Sequence, residues 1–197
     1  MINELSERIW NRAEFHDDFR LLEDDILYRT LGLVQNGNEL KSQECIGRLI
    51  QSAACFSACP QWQYRTAALR IATACWSLFG EEYNNLANIT DFILRRLGNF
   101  PASQLLHGLG TPRDILSEPG YPPVLWLEVN AKEIANTVAV SGSETATFTN
   151  FQRDLWDYLK DGNSVTISAP TSAGKSYALQ YFMASECASN TNYYAFI

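Results

Sequence analysis

Ser164-Val165-Thr166-Ile167-Ser168-Ala169-Pro170-Thr171-Ser172-Ala173-Gly174-Lys175-Ser176 is the stretch that decides the fold. Its β-branched start, Val165-Thr166-Ile167, predicts a buried strand, and the residues from Lys175 to about Cys187 predict a helix. Between them Ala169–Ser176 reads Ala-x-x-x-x-Gly-Lys-Ser, a phosphate-binding loop of the Walker A kind with alanine where the first glycine usually stands. Such a loop wraps backbone N–H groups around phosphate oxygens, and the helix behind it points its positive end at them. Gly174 lets the backbone approach without a Cβ in the way. Lys175 reaches the β- and γ-phosphates as a point charge, and Ser176 places its hydroxyl on Mg²⁺. Thr171, Ser172 and Ala173 supply the turn. The loop therefore implies a nucleoside triphosphate with Mg²⁺.

Working outward, Phe151, Leu155, Trp156 and Leu159 mark a short amphipathic helix, and Asp161-Gly162-Asn163 marks a turn. Beyond the loop helix, Ser189-Asn190-Thr191-Asn192 reads as a turn and Tyr193 to Ile197 as a second strand. Helix, strand, loop, helix, strand is the opening of a doubly wound α/β domain. A P-loop domain needs roughly another hundred residues or more beyond its loop. The expectation is that residues 146–197 begin such a domain and that the chain is the N-terminal part of a longer protein.

Residues 1–110 read as a helical domain, so the fold class is mainly α. Leu5, Ile9 and Ala13 recur at helical spacing, then Phe19, Leu22 and Ile26, until Gly37-Asn38 breaks the pattern. A third helix runs from Ser42, a plausible N-cap, through Ile46, Leu49, Ile50, Ala53 and Phe56, and Pro60 stops it. A fourth carries Trp62, Thr66, Leu69, Thr73 and Trp76 on one face and ends at Gly80. A fifth carries Leu86, Ile93, Leu94 and Leu97 and ends at Gly98. The aromatic stripe of Trp62, Trp76 and Phe79 reads as core rather than binding surface. Asp17-Asp18 and Glu23-Asp24-Asp25 read as a solvated helix start, with a docking face for a basic partner as the other reading. Residues 111–145 form a connector, dense in proline at Pro112, Pro119, Pro122 and Pro123. Within it Val124 to Val140 predicts a helix, and Ser141-Gly142-Ser143-Glu144-Thr145 a polar break.

The net charge of −7 excludes a chain that binds nucleic-acid backbone through a basic face of its own. The five cysteines, Cys45, Cys55, Cys59, Cys75 and Cys187, are odd in number and scattered. Reduced thiols are the better reading than a disulfide framework, and the Cys55–Cys59 pair, one helical turn apart, reads as core packing. His16 and His107 read as surface or cap residues. The N-terminus carries no apolar signal segment and no run is long enough to span a membrane, so a cytoplasmic location is expected.

Ala169-Pro170-Thr171-Ser172-Ala173-Gly174-Lys175-Ser176 resembles motif I of superfamily 2 helicases, the Ski-like DExH branch in particular. Phe148-Thr149-Asn150-Phe151-Gln152-Arg153 resembles the family's Q-motif region, and Tyr193 to Ile197 resembles the strand that feeds motif Ia. The resemblance covers about residues 148–197. It implies a RecA-like lobe, ATP with Mg²⁺ as the cofactors, and Gln152 as the reader of the adenine edge, with Phe148 or Phe151 packed beside the base. An acidic helical domain ahead of such a motor resembles large bacterial defence helicases, such as the helicase subunit of Hachiman-type antiphage systems. Nucleic acid would then be engaged through parts outside this chain.

No DExH box follows the loop, and Glu186 is the one acid after it. The chain alone is therefore expected to hold phosphates without hydrolysing them. Two further readings stand beside the helicase. One is a helical interaction module docking a partner protein, with no catalytic activity. The other is a different small P-loop enzyme such as a kinase, which the Ala-Pro-Thr pattern disfavours.

Overall fold

A computed structural model describes residues 1–33, 43–83, 85–106, 122–170 and 173–189. The described residues are mainly helical, with one two-stranded sheet among them. The chain divides into two compact units, Met1–Leu97 and Gly98–Ile197.

The first unit contains α1 (Ile2–Trp10), α2 (Ala13–Leu31), α3 (Gln43–Ser57), α4 (Trp62–Phe79) and α5 (Leu86–Leu97). The first expected helix is broken: Arg12 adopts an extended conformation, so Ala13 opens α2 rather than continuing α1. α4 is the central element, packed on α2, α3 and α5. Ile46, Leu49, Ile50, Ala53 and Phe56 of α3 are all buried, as their spacing predicts. Trp10 lies within aromatic contact of Phe15, Phe56 and Tyr64, at ring-centroid separations of 5.6, 5.9 and 5.5 Å. Cys59 and Cys75 are buried in this unit. Gly37, Asn38, Ser42 and His107 lie outside the described residues.

Two expectations for this unit are corrected. α4 buries Tyr64, Ala67, Ala68, Ile71, Ala72 and Cys75, whereas Trp62 is 72% exposed and Trp76 is also exposed. Both stripes have helical spacing. The alanine-rich one faces the neighbouring helices because small side chains let helix axes approach, leaving the large rings at the rim. The acidic cluster is a solvated helix start only in part: Asp17 is exposed, but Asp18 and Glu23 are paired across helices. Asp18 is buried and takes a bidentate pair of bonds from Arg48 of α3, Nε at 2.9 Å and Nη2 at 3.1 Å. Glu23 pairs with Arg70 of α4. A buried carboxylate demands a partner of this kind.

The second unit contains α6 (Phe100–Leu106), α7 (Pro123–Asn136), β1 (Thr137–Ser141), β2 (Glu144–Thr147), α8 (Asn150–Lys160) and α9 (Lys175–Ser189). The helix expected to reach Val140 ends at Asn136, and the expected polar break is the turn of an antiparallel hairpin. Val138 and Val140 point into the core while Ala139 and Ser141 are exposed, a period of two that outweighs the helical pattern. Gly142 has φ 57 and Ser143 does not. A positive φ at the first of two turn residues is the position that type II′ hairpin turns reserve for glycine. Val138, Val140, Ala146, Phe148 and Trp156 form the core, covered by Tyr181 and Phe182 of α9.

The buried strand expected at Val165–Ile167 is absent: no strand occurs over 163–170, and Val165 is 37% exposed. A strand of this kind is defined by ladder partners on its flanks, and among the described residues none lies beside it. The strand expected over 193–197 falls outside the described residues.

Candidate functional site

The loop lies in sequence between α8 and α9, which pack on one another. Thr149 is the N-cap of α8. Its Oγ1 accepts from the Gln152 backbone N at 3.2 Å, and Gln152 Oε1 accepts from the Thr149 backbone N at 2.9 Å. This is a capping box, written in the sequence as Thr149-x-x-Gln152. At its far end α8 is tied to α9 through Lys160. The ammonium donates to Ser185 Oγ at 2.7 Å and Glu186 Oε1 at 2.6 Å, and lies over the Trp156 and Phe182 rings.

Gly174 has φ 69 and immediately precedes α9, whose first residue is Lys175. The Ala178 N–H donates to Gly174 O at 3.2 Å, the first turn of the helix, and Ala173 N–H donates to Pro170 O at 3.0 Å. Gln152 is 4% exposed and its Nε2 donates to Ala173 O at 3.4 Å and Gly174 O at 3.2 Å. A Cβ at position 174 would overlap that Nε2. The left-handed φ favours glycine here, and a Cβ would force the Gln152 amide to move off the loop.

The structure therefore brings Gln152, Ala173, Gly174, Lys175 and Ser176 together. Ser176 is exposed at the start of α9. Thr171 and Ser172 lie outside the described residues. Lys175 folds back on the loop, its Nζ donating to Ala169 O at 2.5 Å and Pro170 O at 2.8 Å. The Gln152 carboxamide has Nε2 on the two loop carbonyls and Oε1 in the capping box. As placed, it positions the loop rather than offering a free donor–acceptor edge. Phe148 has no exposed surface and is packed against Trp156, so it does not flank a bound base.

Tyr177 was not among the residues singled out from sequence. It is 41% exposed, its ring stands edge-on to Phe148 at 6.0 Å, and it tilts against Tyr181 at 4.7 Å. Partial burial pushes its hydroxyl up to about 12, helped by the hydrogen bond to Tyr181 and the charge of Glu144. Among the described residues no three His, Cys, Asp or Glu side chains cluster as a metal site. None of the described helices is long and apolar enough to cross a membrane. Comparison of the chain with known protein families, curated proteins and solved structures finds no match.

Proposed function

We propose that Ala169–Ser176 binds the phosphates of ATP with Mg²⁺, and that the chain is the N-terminal part of an ATP-dependent nucleic-acid helicase or translocase. The observation that carries the phosphate reading is Gly174, left-handed and pressed by Gln152, directly ahead of Lys175 at the start of α9. The motor reading adds the motif I resemblance and the order α8, loop, α9, which suits the start of a RecA-like domain. Defence against phage is the biological setting favoured by the resemblance of an acidic helical domain ahead of such a motor to large bacterial defence helicases.

The residues present fit a triphosphate. Lys175 holds its ammonium at the loop on two carbonyl oxygens, and anionic oxygens are stronger acceptors for it than those carbonyls. The exposed Ser176 hydroxyl would hold Mg²⁺, which supplies charge neutralisation at the phosphates when bound. Glu186, the acid that follows the loop, is tied to Lys160 and supplies no base for water. Hydrolysis is accordingly assigned to groups beyond this chain.

Calorimetric titration of MgATP into the wild-type chain and Lys175→Ala tests the loop. The variant is expected to bind at least about tenfold more weakly, because it loses a charge-assisted contact. Equal affinity refutes the assignment. A second reading, a helical module docking a partner protein, is favoured by Trp62 and by Leu27, Leu31 and Leu33, all exposed in the first unit. Lys175→Ala leaves that reading untouched.

A further inference from the structure

The resemblance assigns the base to Gln152, with Phe148 or Phe151 beside it, and the geometry does not suit that arrangement. Gln152 Nε2 is engaged by the Ala173 and Gly174 carbonyls and its Oε1 by the Thr149 N–H, and Phe148 is wholly buried. Among the described residues near the loop, the exposed rings are Phe151 and Tyr177. Phe151 neighbours Gln152 on α8, so its side chain diverges from the one that reaches the loop. Tyr177 stands in the first turn of α9, and its Cβ lies 4.0 Å from where a Cβ on Gly174 would be. Its ring is held in orientation by contacts with Phe148 and Tyr181, at centroid separations of 6.0 and 4.7 Å.

We propose that Tyr177 supplies the surface on which the nucleobase stacks, while Gln152 acts as a positioning residue for the loop. The site then takes purine nucleoside triphosphates through ring and phosphate contacts and discriminates little between adenine and guanine. Stacking is tolerant of base identity because every base has a π-face, whereas discrimination needs hydrogen bonds to a base edge. This inference rests on the phosphate-loop reading above.

The test titrates the 197-residue chain with MgATP, MgGTP and inorganic tripolyphosphate. Tyr177→Ala is expected to weaken ATP and GTP alike by about tenfold while leaving tripolyphosphate unchanged. Tyr177→Phe restores both nucleotides, and Phe151→Ala binds as wild type. Far-UV circular dichroism confirms that each variant is folded. The ring assignment is overturned, with the loop reading intact, if Tyr177→Ala binds ATP normally, loses tripolyphosphate equally, or is matched by Phe151→Ala. A wild-type preference for ATP over GTP beyond about tenfold overturns the lack of discrimination and points to an edge reader. If the wild-type chain binds neither ATP nor tripolyphosphate, the loop reading fails and the ring assignment falls with it.

Discussion

Gly174→Ala tests the contact on which the site geometry depends. An L-residue held in the left-handed region costs about 1–2 kcal/mol. The new Cβ would also drive the Gln152 amide off the Ala173 and Gly174 carbonyls. Those are two long bonds at 3.4 and 3.2 Å, and together they contribute about 1–2 kcal/mol net. The expected loss is therefore about 2–4 kcal/mol, confined to α8, the loop and α9. Native-state hydrogen exchange at the α8 and α9 amides reads such local free energies without requiring the two units to unfold together. The decisive comparison repeats the substitution in Gln152→Ala. With the carboxamide gone only the backbone contribution remains, so the cost should fall to about 1–2 kcal/mol and the cycle should show about 1–2 kcal/mol of coupling. Equal costs in the two backgrounds would refute the idea that Gln152 and Gly174 are packed on one another.

Four further outcomes are expected. Ile71→Ala should destabilise the helical unit by about 2–5 kcal/mol, whereas Trp62→Ala should change it by no more than about 0.5 kcal/mol, since Ile71 is core and Trp62 is rim; urea melts followed by circular dichroism distinguish them. Lys160→Met should lower α8–α9 protection by about 1 kcal/mol, after allowing for partial exposure, and the wild-type excess should shrink in high salt. Tyr177 has a folded-state pKa raised to about 12 from 10.0, so its neutral form is favoured in the fold; its contribution is complete below pH 10 and lost as pH rises towards 12, and Tyr177→Phe should remove that component from an alkaline stability profile. Burial pushes the Cys75 thiol up to about 12, whereas Cys187 is exposed; thiol reagents at neutral pH should label Cys187 first and Cys75 only on unfolding.

The legible parts of the chain were those governed by near neighbours in sequence. Ile46, Leu49, Ile50, Ala53 and Phe56 shared one face because five apolar positions at helical spacing leave no other face to bury. α5 ended at Leu97 ahead of Gly98, and α8 formed over Asn150–Lys160 around Leu155 and Trp156. The hairpin was readable but outcompeted: Leu125, Val129, Ile134 and Val138 also fit a helix, yet Val129 is buried and Ile134 is exposed. The Gly142-Ser143 pair between Val140 and Thr145 carried the missed signal. At the site, Gly174, Lys175 and Ser176 were placed by motif, while Thr149-x-x-Gln152 also satisfied a capping pattern that the Q-motif resemblance obscured.

By itself the sequence determined the helices α3, α4, α5 and α8, the glycines that follow α4 and α5, and that Gly174 stands directly ahead of α9. Those are properties of dihedral preference and of spacing along a single segment. Tertiary structure alone decided which stripe of α4 is core, that Asp18 and Glu23 answer Arg48 and Arg70, and that Gln152 holds the loop while Tyr177 stands open. Each of these depends on what a neighbouring element brings within a few ångströms. A helical wheel, an acidic run or a lone glutamine contains no information about the surface that will meet it.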